Sequence, residues 1–192
     1  MRSIFAGIDI ETSGTEYTKH AVIQIGIVTE DGFEFVSDVR PEGEYEWQEE
    51  ARAVNGFSNE RVDAAPTQSL VDLNLSTAVN EFYGSEQTRL IAVGFNVGTF
   101  DLPFIIKSFP LFQKRLSYRA VDLNSVLFTI DRARRGMKGV FRYDGLKKRA
   151  KEFAAERLAT KGEETNWHDA LFDAKAGLLA WEYLRGKVMV TD

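Results

Sequence analysis

The sequence has no cysteine, two histidines and four prolines among 192 residues. Without cysteine it can form no disulfide framework, no thiolate nucleophile and no zinc centre built on thiolates. His20 and His168 alone exclude a three-histidine metal site. Any bound metal must therefore be held mainly by carboxylate oxygens. No stretch approaches about 18 apolar residues, so no membrane-spanning helix is expected. Residues 1–8 are too short, and too soon followed by acids, to serve as a signal peptide. No segment is repeated or low in complexity. The expectation is a single domain over residues 1–192 that is soluble, intracellular and cytoplasmic, with no membrane contact.

What is present in excess is negative charge. There are 24 Lys and Arg against 29 Asp and Glu, a formal net charge of −5. That balance argues against a protein that coats nucleic acid non-specifically, and it leaves enzymes acting on nucleic acid open. The charge is uneven. Residues 131–151 carry Arg132, Arg134, Arg135, Lys138, Arg142, Lys147, Lys148, Arg149 and Lys151 against two acids, a local net of +7. Residues 30–50 carry nine acids against Arg40 alone, which reads as a solvated stretch facing away from any anionic ligand.

Hydrophobic patterning supplies the order of elements. Residues 3–10, 20–29 and 33–39 read as strands, with Asp31-Gly32 as the turn between the last two, so the chain should open as an antiparallel meander. Residues 68–83 have helical periodicity, 90–95 form a short buried strand, and 100–108 read as a helix with Thr99 as its cap. Residues 119–123 fit a last strand leading into a helix that ends near 134. Residues 144–158 and 168–185 are helical, the second with Ala170, Ala174, Gly177, Trp181 and Leu184 on one face. This is an α/β pattern.

Three clusters of acids stand at the ends of these elements. Asp9 and Glu11 are two apart in a strand and project from the same face. Two adjacent carboxylates repel, and each raises the other's pKa unless a cation lies between them. Thr12-Ser13-Gly14 follows as a turn. Asp101 lies at a helix start after the small-residue turn 94–99, where open α/β sheets place ligands. His168 stands just before or within the first turn of the last helix, and Asp173 follows within it. Taken singly, each has a bland reading as a strand-end, first-turn or capping residue.

Taken together, Asp9-Ile10-Glu11-Thr12-Ser13-Gly14, Asn96 with Phe100-Asp101, and His168 with Asp173 resemble the three ordered motifs of the DEDDh family of 3′→5′ exonucleases, the DnaQ-like branch of the ribonuclease H-like superfamily. Residues 21–28, 54–58 and 120–123 resemble lesser features of that family, so the resemblance runs from about residue 4 to about residue 184. Ile10, Ser13 and Phe95 depart from its commonest residues without removing a carboxylate or the histidine. The resemblance implies a ribonuclease H-like fold with a mixed five-stranded sheet flanked by helices. It implies two divalent ions held by Asp9, Glu11, Asp101 and Asp173, with His168 as general base. Hard oxygen donors without thiolates independently select Mg²⁺ or Mn²⁺.

The implied activity is removal of nucleoside 5′-monophosphates from the 3′ end of single-stranded DNA, as in proofreading. The alternatives are the same chemistry on RNA, as in ribonuclease T-like or oligoribonuclease-like members, and a non-catalytic nucleic-acid-binding module. Thr12, Ser13 and Asn96 are candidates for contact with the terminal nucleotide. Phe57 and Phe95 are candidates for stacking on terminal bases, although core packing is the favoured reading of Phe57. Arg134, Arg135 and Lys138 are candidates for guiding the phosphate backbone. The resemblance also admits a DNA polymerase as partner, which no feature of the sequence supports.

Overall fold

The expected meander opens the chain. The computed structural model describes residues 2–84, 87–135 and 144–188, the side chains of Arg134, Arg135, Asp144 and Val188 excepted. In it β1 (Arg2–Thr12), β2 (Val22–Thr29) and β3 (Glu34–Asp38) pair antiparallel in sequence. Gly32, at φ 99°, makes the turn between β2 and β3. After helices α1 (Glu49–Asn55), α2 (Asn59–Ala64) and α3 (Gln68–Tyr83), β4 (Thr88–Gly94) enters parallel to β1. Helix α4 (Asp101–Ser108) and a 3₁₀ turn at Phe112–Arg115 lead to β5 (Leu116–Asp122), parallel to β4. Helices α5 (Leu123–Arg135), α6 (Asp144–Thr160) and α7 (Ala170–Val188) follow. The result is a mixed five-stranded sheet, in the order β3-β2-β1-β4-β5, flanked by helices. Among the described residues no helix is long and apolar enough to cross a membrane.

Alternation along β1 explains the layering. Its even-numbered residues Ile4, Ala6, Ile8 and Ile10 enter a core with Val71, Leu75 and Val79 of α3 and Phe104 and Ile105 of α4. Phe5, on the opposite face, packs with Trp181 of α7, ring centroids 5.7 Å apart. It belongs to a second core containing Leu123, Leu127, Ala180 and Leu184. Period two along the strand thus puts Gly7, Asp9 and Glu11 on the α7 side.

Three details differ from the sequence expectation. Helices α1 and α2 are too short to show a periodic apolar face, although the fold-back Gly56 (φ 69°) and the Ser58 cap on Arg61 N–H mark their limits. The segment 54–58, expected before the first helix, therefore holds the end of α1 and the break before α2. Thr99 does not cap α4; its hydroxyl donates back to the Asn96 carbonyl, and Phe100 occupies the cap position. The acid-rich stretch 30–50 has its nine acids solvated except for half-buried Asp38, while Phe33 and Val39 between them are buried. Its backbone, however, braces the turn after β1: Ser13 Oγ donates to the Glu46 carbonyl, and Gln48 N–H to the Ser13 carbonyl.

Candidate active site

The β1–β4 ladder runs only as far as Gly7↔Val93, whereas β1 continues to Thr12 paired with β2 alone. The carboxyl end of β1 therefore overhangs its parallel neighbour. Asp9 and Glu11 lie on this overhang, opposite Gly26 and Gln24 of β2. Carboxyl ends of parallel strands are where this class of sheet places ligands.

Glycines allow α7 to come down onto the same strands. A Cβ on Gly7 would lie 2.1 Å from the Ala174 carbonyl oxygen, and a Cβ on Gly26 would lie 2.2 Å from the Ala170 carbonyl carbon. Only a residue without a side chain fits at either place. That close approach sets the first turn of α7, and with it Asp173, over the end of β1. Asp169 caps the helix, its carboxylate accepting from Phe172 N–H at 3.1 Å. The preceding His168 adopts φ 68°, and its own N–H donates to the Asp173 carboxylate at 2.8 Å. One ring nitrogen of the exposed His168 and one carboxylate oxygen each of Glu11 and Asp173 lie within 4.8 Å of one another.

Asp101 arrives from the other layer. The chain turns at Asn96, in the left-handed region at φ 63°, and starts α4 at Asp101. The carboxylate is 4 % exposed and accepts from its own N–H and that of Ile10 on the overhanging edge of β1.

The acids strain one another electrostatically. Burial, then repulsion from Asp173 and Asp169, pushes Glu11 up to about 8. Burial is also the main cause for Asp101, pushed up to about 8 although its two backbone donors act the other way. Asp9 lies well above the usual carboxylate range through burial and the charges of Asp101, Asp173 and Glu11. Asp173 is raised by burial, with the His168 N–H and Lys151 partly offsetting it. Four carboxyls this crowded cannot all ionise without a cation. The donor set is all oxygen save for the His168 ring, which fits a hard divalent ion.

The remaining candidates separate by position. Phe57 is 2 % exposed, packed with Ile23 and Val62 under the Arg61 guanidinium, so it offers no face to a base. Ser13 is fully buried, with its hydroxyl engaged by the Glu46 carbonyl and Ala21 N–H. The buried Thr12 donates to the Gly14 carbonyl, and its own carbonyl accepts from Asn55. The hydroxyls of Ser13 and Thr12 build the turn rather than face a ligand, because a tight turn beside a strand end consumes its own hydroxyls. Asn96 is exposed and accepts from Asn124 at 2.5 Å. Phe95 is half-buried, with the Lys147 and Lys151 ammonium groups 5.0 and 5.6 Å from its ring centroid. Lys138 and the side chains of Arg134 and Arg135 lie outside the described residues.

Gln24 is the positioning residue that sequence reasoning passed over. It is 3 % exposed; its carbonyl oxygen accepts from Ala170 N–H at 2.7 Å, and its amide donates to Asp38 at 2.9 Å. Asp38 in turn holds Arg61 through two contacts of 2.7 and 2.8 Å. The helix that carries Asp173 is thus tied to the strand that pairs with β1. A polar residue inside the apolar run 21–28 was the available signal.

An open groove of about 620 Å³ runs from His168 and Asp173 between α6 and the loop before α7, with Lys147, Lys151 and Trp167 on its walls. A cavity of about 470 Å³ elsewhere contains none of the motif carboxylates, and its Lys175 is paired with Glu34 and Glu163.

The profile of the RNase_T family, described as Exonuclease, matches residues 6–179. No curated protein matches the chain. Among solved structures, a zinc-bound E. coli exonuclease I–single-stranded DNA complex is similar over 98% of this chain and 41% of that one, with 17% identity and a TM-score of 0.64. Cell-death related nuclease 4 is similar over 98% of this chain and 65% of that one, with 16% identity and a TM-score of 0.57. The chain thus spans about two fifths of the length of exonuclease I.

Proposed function

Because the chain belongs to the RNase_T exonuclease family, we propose that it is a divalent-metal-dependent 3′→5′ exonuclease acting on single-stranded DNA. The observation that carries this reading is the convergence of Asp9, Glu11, Asp101 and Asp173, all with raised pKa, beside the exposed His168. These four acids would hold two Mg²⁺ or Mn²⁺ ions. When bound, such ions supply positive charge that acidifies water and stabilises a departing 3′-oxygen.

The other roles belong to the chain itself. His168 accepts the proton of the attacking water at a ring nitrogen, a task suited to an imidazole near neutral pH. The water oxygen bonds to phosphorus as the bond to the 3′-oxygen breaks, which leaves a nucleoside 5′-monophosphate and a strand one nucleotide shorter. Asp173 orients the His168 loop by accepting its backbone N–H.

Single-stranded DNA is favoured because E. coli exonuclease I, similar in fold over nearly the whole of this chain, is found in complex with it. The RNase_T name of the family keeps RNA as the second substrate. Incubation with 5′-labelled DNA and RNA oligonucleotides, with Mg²⁺, Mn²⁺ or chelator, tests both. Cation-dependent shortening from the 3′ end, faster for DNA, is expected; no shortening of either strand would remove the enzymatic reading.

A further inference from the structure

We propose that Lys151 grips a phosphate oxygen of the substrate strand at the entrance to the carboxylate cluster. The inference rests on the nuclease reading above and identifies a binding residue that the three sequence motifs do not contain. Lys151 projects from α6 into the groove that ends at His168 and Asp173. Its ammonium lies 4.6 Å from the centroid of Trp167 and 5.6 Å from that of Phe95. Those rings come from two separate segments, one following β4 and the other preceding α7. Trp167 is itself held edge-on against Phe172, centroids 5.0 Å apart at 86°. The cation is therefore located by packing and not merely tethered by a flexible stem.

Its electrostatic situation is unlike that of Lys148 and Lys175. Lys148, which lines the same groove, pairs with Glu152 at 3.7 Å, and Lys175 is held by two glutamates. Lys151 forms no ion pair among the described residues, although its field reaches Asp9 and Asp173. Ring faces attract an ammonium without accepting its N–H groups in line, so three donors remain for an anion. A lysine that sits close to the acids without pairing to them leaves those carboxylates for cations. A phosphodiester strand entering this groove to reach His168 passes the ammonium.

The test compares wild type with Lys151→Met and Lys151→Arg on a 5′-fluorescein-labelled oligothymidylate, in Mn²⁺, over a series of salt concentrations. Lys151→Met should raise KM about tenfold, the value of one charge-assisted contact, with the loss falling mainly on KM rather than kcat. The slope of log kcat/KM against log salt should become shallower by about 0.7, the effect of one single-strand phosphate contact. Lys151→Arg should restore most of both. An unchanged KM and salt slope in Lys151→Met would overturn the inference while leaving the nuclease reading intact. So would a loss confined to kcat with a shifted Mn²⁺ midpoint, which would make Lys151 a counter-ion of the acids. A wild type that leaves both this strand and a matching RNA strand intact would overturn both.

Discussion

The backbone N–H of His168 donates to the Asp173 carboxylate across 2.8 Å, closing a six-residue loop at the start of α7. His168 makes this bond from the left-handed region, at φ 68°. The main chain of His168 thus orients an acid of the cluster, while its side chain is left exposed toward Glu11. Backbone and ring have separable tasks.

His168→Asn should separate them. Asparagine tolerates left-handed backbone, so the melting temperature should hardly change. The proton acceptor is lost, and kcat should fall by roughly 10²–10⁴-fold with KM little altered. Steady-state kinetics beside a thermal melt would check this; a variant that retains its kcat would show that the imidazole is no base.

Stability of the cation-free protein should decline with pH. Glu11 and Asp101 titrate near 8 in the folded chain, against ordinary values near 4. Between those limits the folded state binds more protons than the unfolded state, so stability falls as pH rises. The stabilising effect is complete below about pH 4 and lost above about pH 8. The melting temperature in chelator should therefore drop between pH 5 and about 8.5, and Mg²⁺ or Mn²⁺ should restore it at the upper end. Asp101→Asn should flatten the profile and abolish turnover. A flat wild-type profile without cation would contradict the crowding of these acids.

Gly26→Ala tests the seating of α7. The added methyl would lie 2.2 Å from the Ala170 backbone, so the helix must move. A cost of about 1–3 kcal/mol is expected from overpacking, together with a marked loss of activity because Asp173 moves as well. Gly145→Ala, where nothing lies within 4 Å, is the control and should cost nothing. Urea denaturation with parallel activity measurements would distinguish the two.

Gln24→Leu should show that α7 is anchored through β2. It leaves the buried Ala170 N–H without its acceptor, at a cost of about 1–3 kcal/mol, and should lower kcat although Gln24 belongs to none of the motifs. Gln24→Glu keeps an acceptor but places a further carboxylate beside Asp38 and Asp169, so it should be the more damaging change. Equal activity for wild type and Gln24→Leu would remove Gln24 from the positioning network.

Much of this was legible in the chain. The even-numbered isoleucines of β1 and the small-residue face of α7 are period-two and helical patterns, visible because burial repeats with the geometry of each element. The motif carboxylates were found for a related reason: each stands where a strand or helix begins or ends, and each is the wrong residue type for the apolar run beside it. Phe57 and Ser13 show the limit of that argument. An aromatic ring or a hydroxyl next to a motif is compatible with core packing and with ligand contact alike, and only burial separates the two. Helices α1 and α2 were missed because six or seven residues are too few to establish a period.

The sequence by itself determined the order of the strands and longer helices, the strand faces, the carboxylate-dominated donor set and the motif resemblance, since all of these depend on residue type and local spacing. Tertiary structure decided how those residues meet. The overhang of β1 beyond β4, the approach of α7 allowed by Gly7 and Gly26, and the Gln24 link are contacts between segments far apart in the chain. So is the cradle of Lys151, built from α6, Phe95 and Trp167. Such contacts depend on register and on the absence of particular side chains, and local periodicity records neither.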